Sequence, residues 1–269
     1  MTKRAVVLAR GLGRRMRAAD PEAVLTPDQQ RAADAGHKAL MPIAGRPFID
    51  YVLESLEHAG LEQIALVVAP DHDEIRTHVE RYAVSLIAID VVVQAEPRGT
   101  ADAVLSAESW TSGEPFLVLN SDNLYPVDAL REVAALDEPG LPVFARDELV
   151  RSSNIPPERV QAFAIVEIDA TGYLVRIIEK PDAARVRAAG ASAPVSMNCW
   201  RFDARIFDFC RRVPLSERGE LELPQAVDVA CRNGVRFRAL PAHGPVLDLS
   251  GRSDAADLAR RLGPKATRP

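Results

Sequence analysis

The chain has 269 residues, 47% hydrophobic and 26% charged, an ordinary globular composition that excludes a disordered tail, a collagen-like chain and a coiled coil. Its 33 basic and 38 acidic residues leave a net charge of −5, so no general basic field favours nucleic acid or an anionic membrane. No apolar run approaches the roughly 20 residues a bilayer requires. The stretch after Met1-Thr2-Lys3-Arg4 is too short for a secretory signal, and Cys199, Cys210 and Cys231 lack Cys-x-x-Cys spacing. The expectation is a cytoplasmic protein with neither a disulfide framework nor a zinc site.

In chain order, Val6-Val7-Leu8-Ala9 predicts a buried strand running into Arg10-Gly11-Leu12-Gly13-Arg14-Arg15. Residues 18–36 combine turn and helix character, with Thr26 an N-cap and Pro27 at the first helical position. Residues 48–59 place Phe48, Val52, Leu53 and Leu56 on one helical face, and Gly60 stops the helix. Residues 64–68 predict a strand, 71–82 a helix, 86–93 a strand, 100–108 a helix with Thr100 as N-cap, and 116–119 a buried strand. This alternation implies βαβ units and a parallel sheet with helices on both faces. Further on, 162–168, the turn Asp169-Ala170-Thr171-Gly172 and 173–178 form an antiparallel hairpin. Residues 195–202 give a strand, 223–232 a helix ended by Asn233-Gly234, and 253–262 a last helix before a tail at 263–269. No Gly/Ser linker intervenes, so one domain is expected over 1–269.

Four segments carry chemistry. Two glycines after a buried strand let main-chain N–H groups approach an anion, and Arg14 and Arg15 add bidentate phosphate contacts; a tight turn with solvated arginines is the alternative. Lys38, in Lys38-Ala39-Leu40-Met41-Pro42-Ile43-Ala44-Gly45-Arg46-Pro47, enters an apolar stretch and needs an anionic partner unless it lies on a surface loop. It is one of only four lysines beside 29 arginines. Gln94 ends a strand with an amide able to read a nucleobase edge, and Gly99-Thr100 opens a helix. Asp122 follows the apolar run Phe116-Leu117-Val118-Leu119, where open α/β sheets bind ligands and a hard cation is held.

These segments in this order resemble the sugar-1-phosphate nucleotidyltransferases, the nucleotide-sugar pyrophosphorylases. Glu179-Lys180-Pro181 after the hairpin and Asp248 in Val246-Leu247-Asp248 complete the likeness, which covers nearly the whole chain. It implies a Rossmann-like α/β fold with a mixed, mostly parallel sheet and a smaller antiparallel sugar-binding part. A nucleotide-binding half would span 1–125 and a sugar-phosphate-binding half 126–262. It also implies an enzyme making an NDP-sugar and pyrophosphate from an NTP and a sugar-1-phosphate. Arg15 and Lys38 would be catalytic. Leu8, Gly11, Gly13, Arg14, Gln94, Gly99 and Thr100 would bind the nucleotide, and Asn123, Glu179, Lys180 and Asn198 the sugar phosphate. Asp122 and Asp248 would hold Mg²⁺. Gln94 suits uracil or thymine through a two-point amide contact, whereas Arg98-Gly99-Thr100-Ala101-Asp102-Ala103 is similar to the ADP-glucose branch. The partners are the two substrates, not nucleic acid or membrane, with homo-oligomerisation left open.

Departures from the family pattern are Arg10 and Arg14, the 22 residues between Arg15 and Lys38, Ala164 in place of a glycine, and Leu249-Ser250-Gly251-Arg252 after Asp248. Two other readings stand beside this one. A glycosyltransferase would normally show Asp-x-Asp where this chain has Asn120-Ser121-Asp122. A non-catalytic nucleotide-sugar-binding subunit would have little reason to retain all the charged residues.

Overall fold

The computed structural model describes residues 1–11, 13–21, 23–82 and 86–263; the expected tail beyond Gly263 lies outside them. β1 (Arg4–Leu8) leads through α1 (Arg14–Arg17), α2 (Pro27–Ala35) and the hairpin β2 (Pro42–Ile43) and β3 (Arg46–Pro47) to α3 (Phe48–His58). Then come β4 (Gln63–Val68), α4 (Asp73–Arg81), β5 (Ala88–Val93), α5 (Thr100–Ser106), α6 (Glu108–Thr111) and β6 (Phe116–Asn120). The second half begins with β7 (Asn123–Leu124), α7 (Val127–Ala135), β8 (Gly140–Ala145), α8 (Arg146–Ser152), α9 (Pro157–Gln161), β9 (Ile165–Ile168) and β10 (Leu174–Ile178). It continues with α10 (Ala183–Ala189), β11 (Pro194–Ser196), β12 (Trp200–Phe202), α11 (Arg205–Arg212), α12 (Leu223–Arg232), β13 (Arg238–Ala242), β14 (Leu247–Asp248) and α13 (Asp254–Leu262).

Ten strands form one mixed sheet in the order β10-β9-β11-β8-β12-β6-β1-β4-β5, with β13 paired to β8. The parallel ladders are the long ones, five or six residues each, and join β6, β1, β4 and β5 on one side and β13 to β8 on the other. Both faces are covered: Ala5 and Val7 of β1 join one buried cluster with α3 and α7, while Val6 joins the other with α5, α11 and α12. The chain steps from β1 to β4 to β5 and then returns to the far side of β1 as β6. The crevice at the ends of β1 and β6 is therefore a topological switch point, where ligands bind in such sheets.

Local chemistry sets the boundaries. Phe48, Val52, Leu53 and Leu56 are fully buried on one face of α3. Thr26 caps α2 through a complete capping box with Gln29, at 3.3 and 3.0 Å, in which two main-chain N–H donors are satisfied reciprocally by side-chain oxygens. Three expectations need correction. The stretch 195–202 is two strands, not one, because Asn198 adopts a φ of 60° between β11 and β12. Gly99 is the N-cap of α5; Thr100 is its first residue, and its hydroxyl accepts from the Leu223 N–H at 2.9 Å. The helix expected over 100–108 breaks at Ala107 into α5 and α6.

The 22 residues between Arg15 and Lys38 hold α2 and are clamped from the far end of the chain. Buried Arg252 donates to the main-chain oxygens of Met16 (2.8 Å) and Arg17 (3.2 Å) and pairs with Asp34 at 2.7 Å. Two departures thus explain one another: the unusual Arg252 anchors the unusual insert. Among the described residues no helix is long and apolar enough to cross a membrane.

Candidate active site

A cleft of about 440 Å³ opens at the switch point. It collects Leu8, Gly11, Gly13, Arg14, Arg15, Lys38, Gln94, Gly99, Thr100 and Asp122 on one surface. Five cationic side chains (Arg10, Arg14, Arg15, Lys38, Arg218) face two acidic ones (Asp122, Glu220) there, a local excess of positive charge in a chain of net −5. Such an arrangement focuses an anionic ligand into the cleft.

The glycine turn has two distinct duties. Gly13 sits at φ 59°, and a Cβ on it would lie 2.4 Å from the Gly36 oxygen, so only glycine lets the turn close on the end of the insert. Gly11 lines the cleft, and a Cβ there would meet nothing within 4 Å; its absent side chain leaves room for a ligand. Arg14 and Arg15 have no carboxylate partner among the described residues. Arg10 turns away from them. Its Nε donates to the Gln94 main-chain oxygen at 2.8 Å and its Nη2 to that of Ala95 at 3.0 Å, tying the turn to the end of β5.

A single 3₁₀ turn over Lys38–Leu40 brings the Lys38 ammonium to 3.1 Å from Asp122 Oδ2, both half-buried. Asp248 lies on the strand beside Asp122: β14 pairs with β7, and the Leu249 N–H donates to the Asp122 main-chain oxygen at 2.9 Å. Asp248 is buried, and its carboxyl is pushed up, first by burial and then by the Asp122 charge, with Arg159 opposing. Asn123 Nδ2 donates to its Oδ2 at 2.9 Å. Arg159 of α9, held bidentately by Asp254 at 3.0 and 3.1 Å, stands 3.3 Å from Oδ1. That oxygen is buried and makes no aligned hydrogen bond among the described residues.

Gln94 is buried, and its amide nitrogen donates to the Gly99 oxygen (3.1 Å) and to Asp102 Oδ2 (2.8 Å). Both amide hydrogens are thereby engaged, leaving Oε1 for a base; the two-point amide contact expected from sequence does not fit this geometry. Gly99 answers first to packing: at φ 117° a Cβ would strike the Leu221 main chain at 2.4 Å.

The other expected residues lie apart from the cleft wall. Asn123 spends its amide on Asp248. Lys180 follows β10 at a φ of 43°. Glu179 is open to water yet hemmed in by protein; its carboxyl is raised by burial and then by Glu222, while Lys180 and Arg218 oppose. Because Arg218 lines the cleft and pairs with Glu222 at 2.8 Å, this pair borders the rim. Asn198 sits at the β11–β12 break, where its N–H donates to Ser196 Oγ at 3.2 Å.

Sequence reasoning missed His37, His72, Arg218, Glu220 and Ser250 on the cleft wall. The two histidine rings meet edge to face at 5.8 Å, and burial lowers the pKa of His72. His37 had a signal, its place beside Lys38; the rest come from loops without periodicity.

The curated proteins this chain resembles include the bifunctional protein GlmU of Methanococcus vannielii, 28% identical over 190 residues, covering 71% of this chain and 41% of that protein. Another is the UTP–glucose-1-phosphate uridylyltransferase AglF of Haloferax volcanii, 25% identical over 263 residues and 98% of both chains. The chain spans about four-tenths to half the length of the first curated relatives it matches. Among solved structures, a UDP-glucose pyrophosphorylase complexed with UDP-glucose superposes with a TM-score of 0.75 at 18% identity, covering 97% of this chain and 98% of that one; this shows the shared fold. The model of the nucleotidyl transferase family matches residues 33–245, and the chain belongs to that family.

Proposed function

We propose that this chain is a Mg²⁺-dependent cytoplasmic enzyme that makes an NDP-sugar and pyrophosphate from an NTP and a sugar-1-phosphate. The observation that carries the reading is the Lys38–Asp122 contact at 3.1 Å inside an electropositive cleft at the β1/β6 switch point. Residues 1–125 supply the nucleotide half and 126–262 the sugar-phosphate half.

A sugar phosphate is already ionised near neutrality, so no strong base is needed; the protein must align the attacking oxygen with the α-phosphorus and offset charge. Arg14 and Arg15, beside the glycine turn and without a carboxylate partner among the described residues, would hold the triphosphate and stabilise the departing pyrophosphate. Lys38 screens the repulsion between two anionic substrates. Lys180 and Glu179, at the rim, receive the phosphate and hydroxyls of the sugar, with Asn198 closing that side. Asn123 acts indirectly, by orienting Asp248.

Asp122 and Asp248 would hold the cation. Mg²⁺ is commonly bound by one or two carboxylates and completed by substrate phosphates and water, and the buried Oδ1 of Asp248, which has Arg159 at 3.3 Å but no aligned hydrogen bond among the described residues, suits that use. When bound, the ion supplies Lewis-acid neutralisation of developing phosphate charge.

The base is uracil or thymine. Gln94 offers one acceptor, and the N–H groups of cleft-lining Gly11 and Gly99 have no acceptor among the described residues. Main-chain donors and an acceptor in one cleft are the polarities that the O2, N3–H, O4 edge of these bases requires. Pyrophosphate release from four or five NTPs against several sugar-1-phosphates tests the reading. UTP or dTTP is expected to lead, and no release from any pair would sink it.

A further inference from the structure

The amide of a glutamine has two ends, and nothing intrinsic decides which faces a ligand. Here the surroundings decide. The Gly99 oxygen and Asp102 Oδ2, at 3.1 and 2.8 Å, take both hydrogens of the Gln94 amide nitrogen. A carbonyl and a carboxylate are both acceptors, so a turned amide would set oxygen against oxygen twice, inside a site where Gln94 is only 3% exposed. Both acceptors are anchored through their main chain. Gly99 is fixed by its contact with Leu221, whose N–H and C=O bond Arg98 and Ala101 at 2.7 and 2.9 Å. Asp102 stands in the first turn of α5, with Arg98 at 3.9 Å. Arg10 meanwhile covers the main-chain oxygens of Gln94 and Ala95, removing them as competing acceptors for a base.

We propose that Asp102 is a positioning residue for base selection: together with the Gly99 carbonyl it locks the Gln94 amide so that the cleft meets an acceptor and never a donor. This rests on the reading that Gln94 faces the nucleobase. The lock predicts a particular rejection. Uracil and cytosine have the same size and differ in polarity along one edge, N3–H and O4 in uracil against N3 and an amino group in cytosine. A fixed acceptor opposite position 3 accepts the first and faces a lone pair in the second. A site built to pair one polarity rejects the other through its own unpaired groups.

The test is calorimetric titration of UTP and CTP, without sugar phosphate, into the full chain and its Asp102→Ala and Asp102→Asn variants, with melting temperatures recorded. The wild type should prefer UTP. Asp102→Ala should shrink the UTP-to-CTP ratio by about tenfold, the worth of one ordinary hydrogen bond, because the amide can then turn. Asp102→Asn should keep the ratio, since its Oδ1 still accepts from the amide nitrogen. An unchanged ratio in Asp102→Ala, with both nucleotides weakened alike, would reduce Asp102 to a structural role and overturn the lock. So would an equal loss in Asp102→Asn, or a wild type that prefers CTP. A chain that binds UTP over CTP with this pattern yet releases no pyrophosphate keeps the lock and loses the proposed activity; one that binds neither loses both.

Discussion

Lys38 and Asp122 are 84 residues apart in sequence and 3.1 Å apart in the fold, and each has a separate use for the other. Without substrate, the ammonium neutralises the carboxylate; with substrate, phosphate oxygens and a cation can divide the pair between them. Asp122→Asn should therefore abolish most turnover while leaving the melting temperature close to that of the wild type, and near-normal rates at millimolar Mg²⁺ would contradict the metal assignment. Arg15 lies beside the glycine turn, and Lys180 follows β10 away from the cleft wall. Arg15→Ala should raise KM for the NTP and Lys180→Ala KM for the sugar phosphate. Each change should amount to one to two decades, the worth of a lost charge-assisted hydrogen bond of roughly 1.5–3 kcal/mol. An NTP-only effect in Lys180→Ala would show that the rim does not receive the sugar phosphate.

At the scale of elements, α2 is held by two devices that can be separated. Thr26→Ala removes the cap and should cost about 1 kcal/mol, read as a small fall in melting temperature with nucleotide affinity unchanged. Arg252→Met removes the bonds to Met16, Arg17 and Asp34. It should weaken NTP binding as well, because Gly36 at the end of α2 packs against Gly13 of the turn; a variant that loses stability alone would show that the insert does not support the turn. The sequence made α2, α3, α12, β4 and β6 legible, since each has a cap, a clean apolar face or an unbroken apolar run. It gave no warning of the bend at Asn198, a single left-handed residue inside an apolar stretch. It was silent over 126–161, where α9 is five residues long, too short for a period to show, yet delivers Arg159 to Asp248. The cleft's glycines, Lys38 and Asp122 were readable because main-chain approach and strand-end carboxylates leave local marks. The engagement of Gln94 by Asp102 was not, because amide orientation depends on what folds around it.

Over the whole molecule, Asp248 sets stability against use. Its carboxyl is raised above the ordinary 3.8, chiefly by burial, so the folded chain holds that proton more tightly than the unfolded one. The associated stability is complete below the ordinary value and is lost as pH climbs through the folded one. At neutral pH the ionised group is therefore a burden, which the Arg159 and Asn123 contacts lessen. Asp248→Asn, with divalent ions chelated, should gain in melting temperature relative to wild type as pH rises from 3 to 7, while losing turnover in assays that contain Mg²⁺. A difference independent of pH would show that the buried carboxylate carries no such cost.

Arg252 also has a consequence for the order in which the protein comes into being. It joins Met16 across 236 residues, and neither end lies within the stretch 33–245 that matches the family. On a ribosome, β1, the glycine turn and α2 emerge long before their clamp and Asp248. A nascent polypeptide can build the parallel ladders as it lengthens, but its nucleotide pocket stays unsupported until residues 248–252 emerge. Synthesis stalled after β12 but before Asp248 should thus yield a product with most of its sheet and no grip on triphosphate.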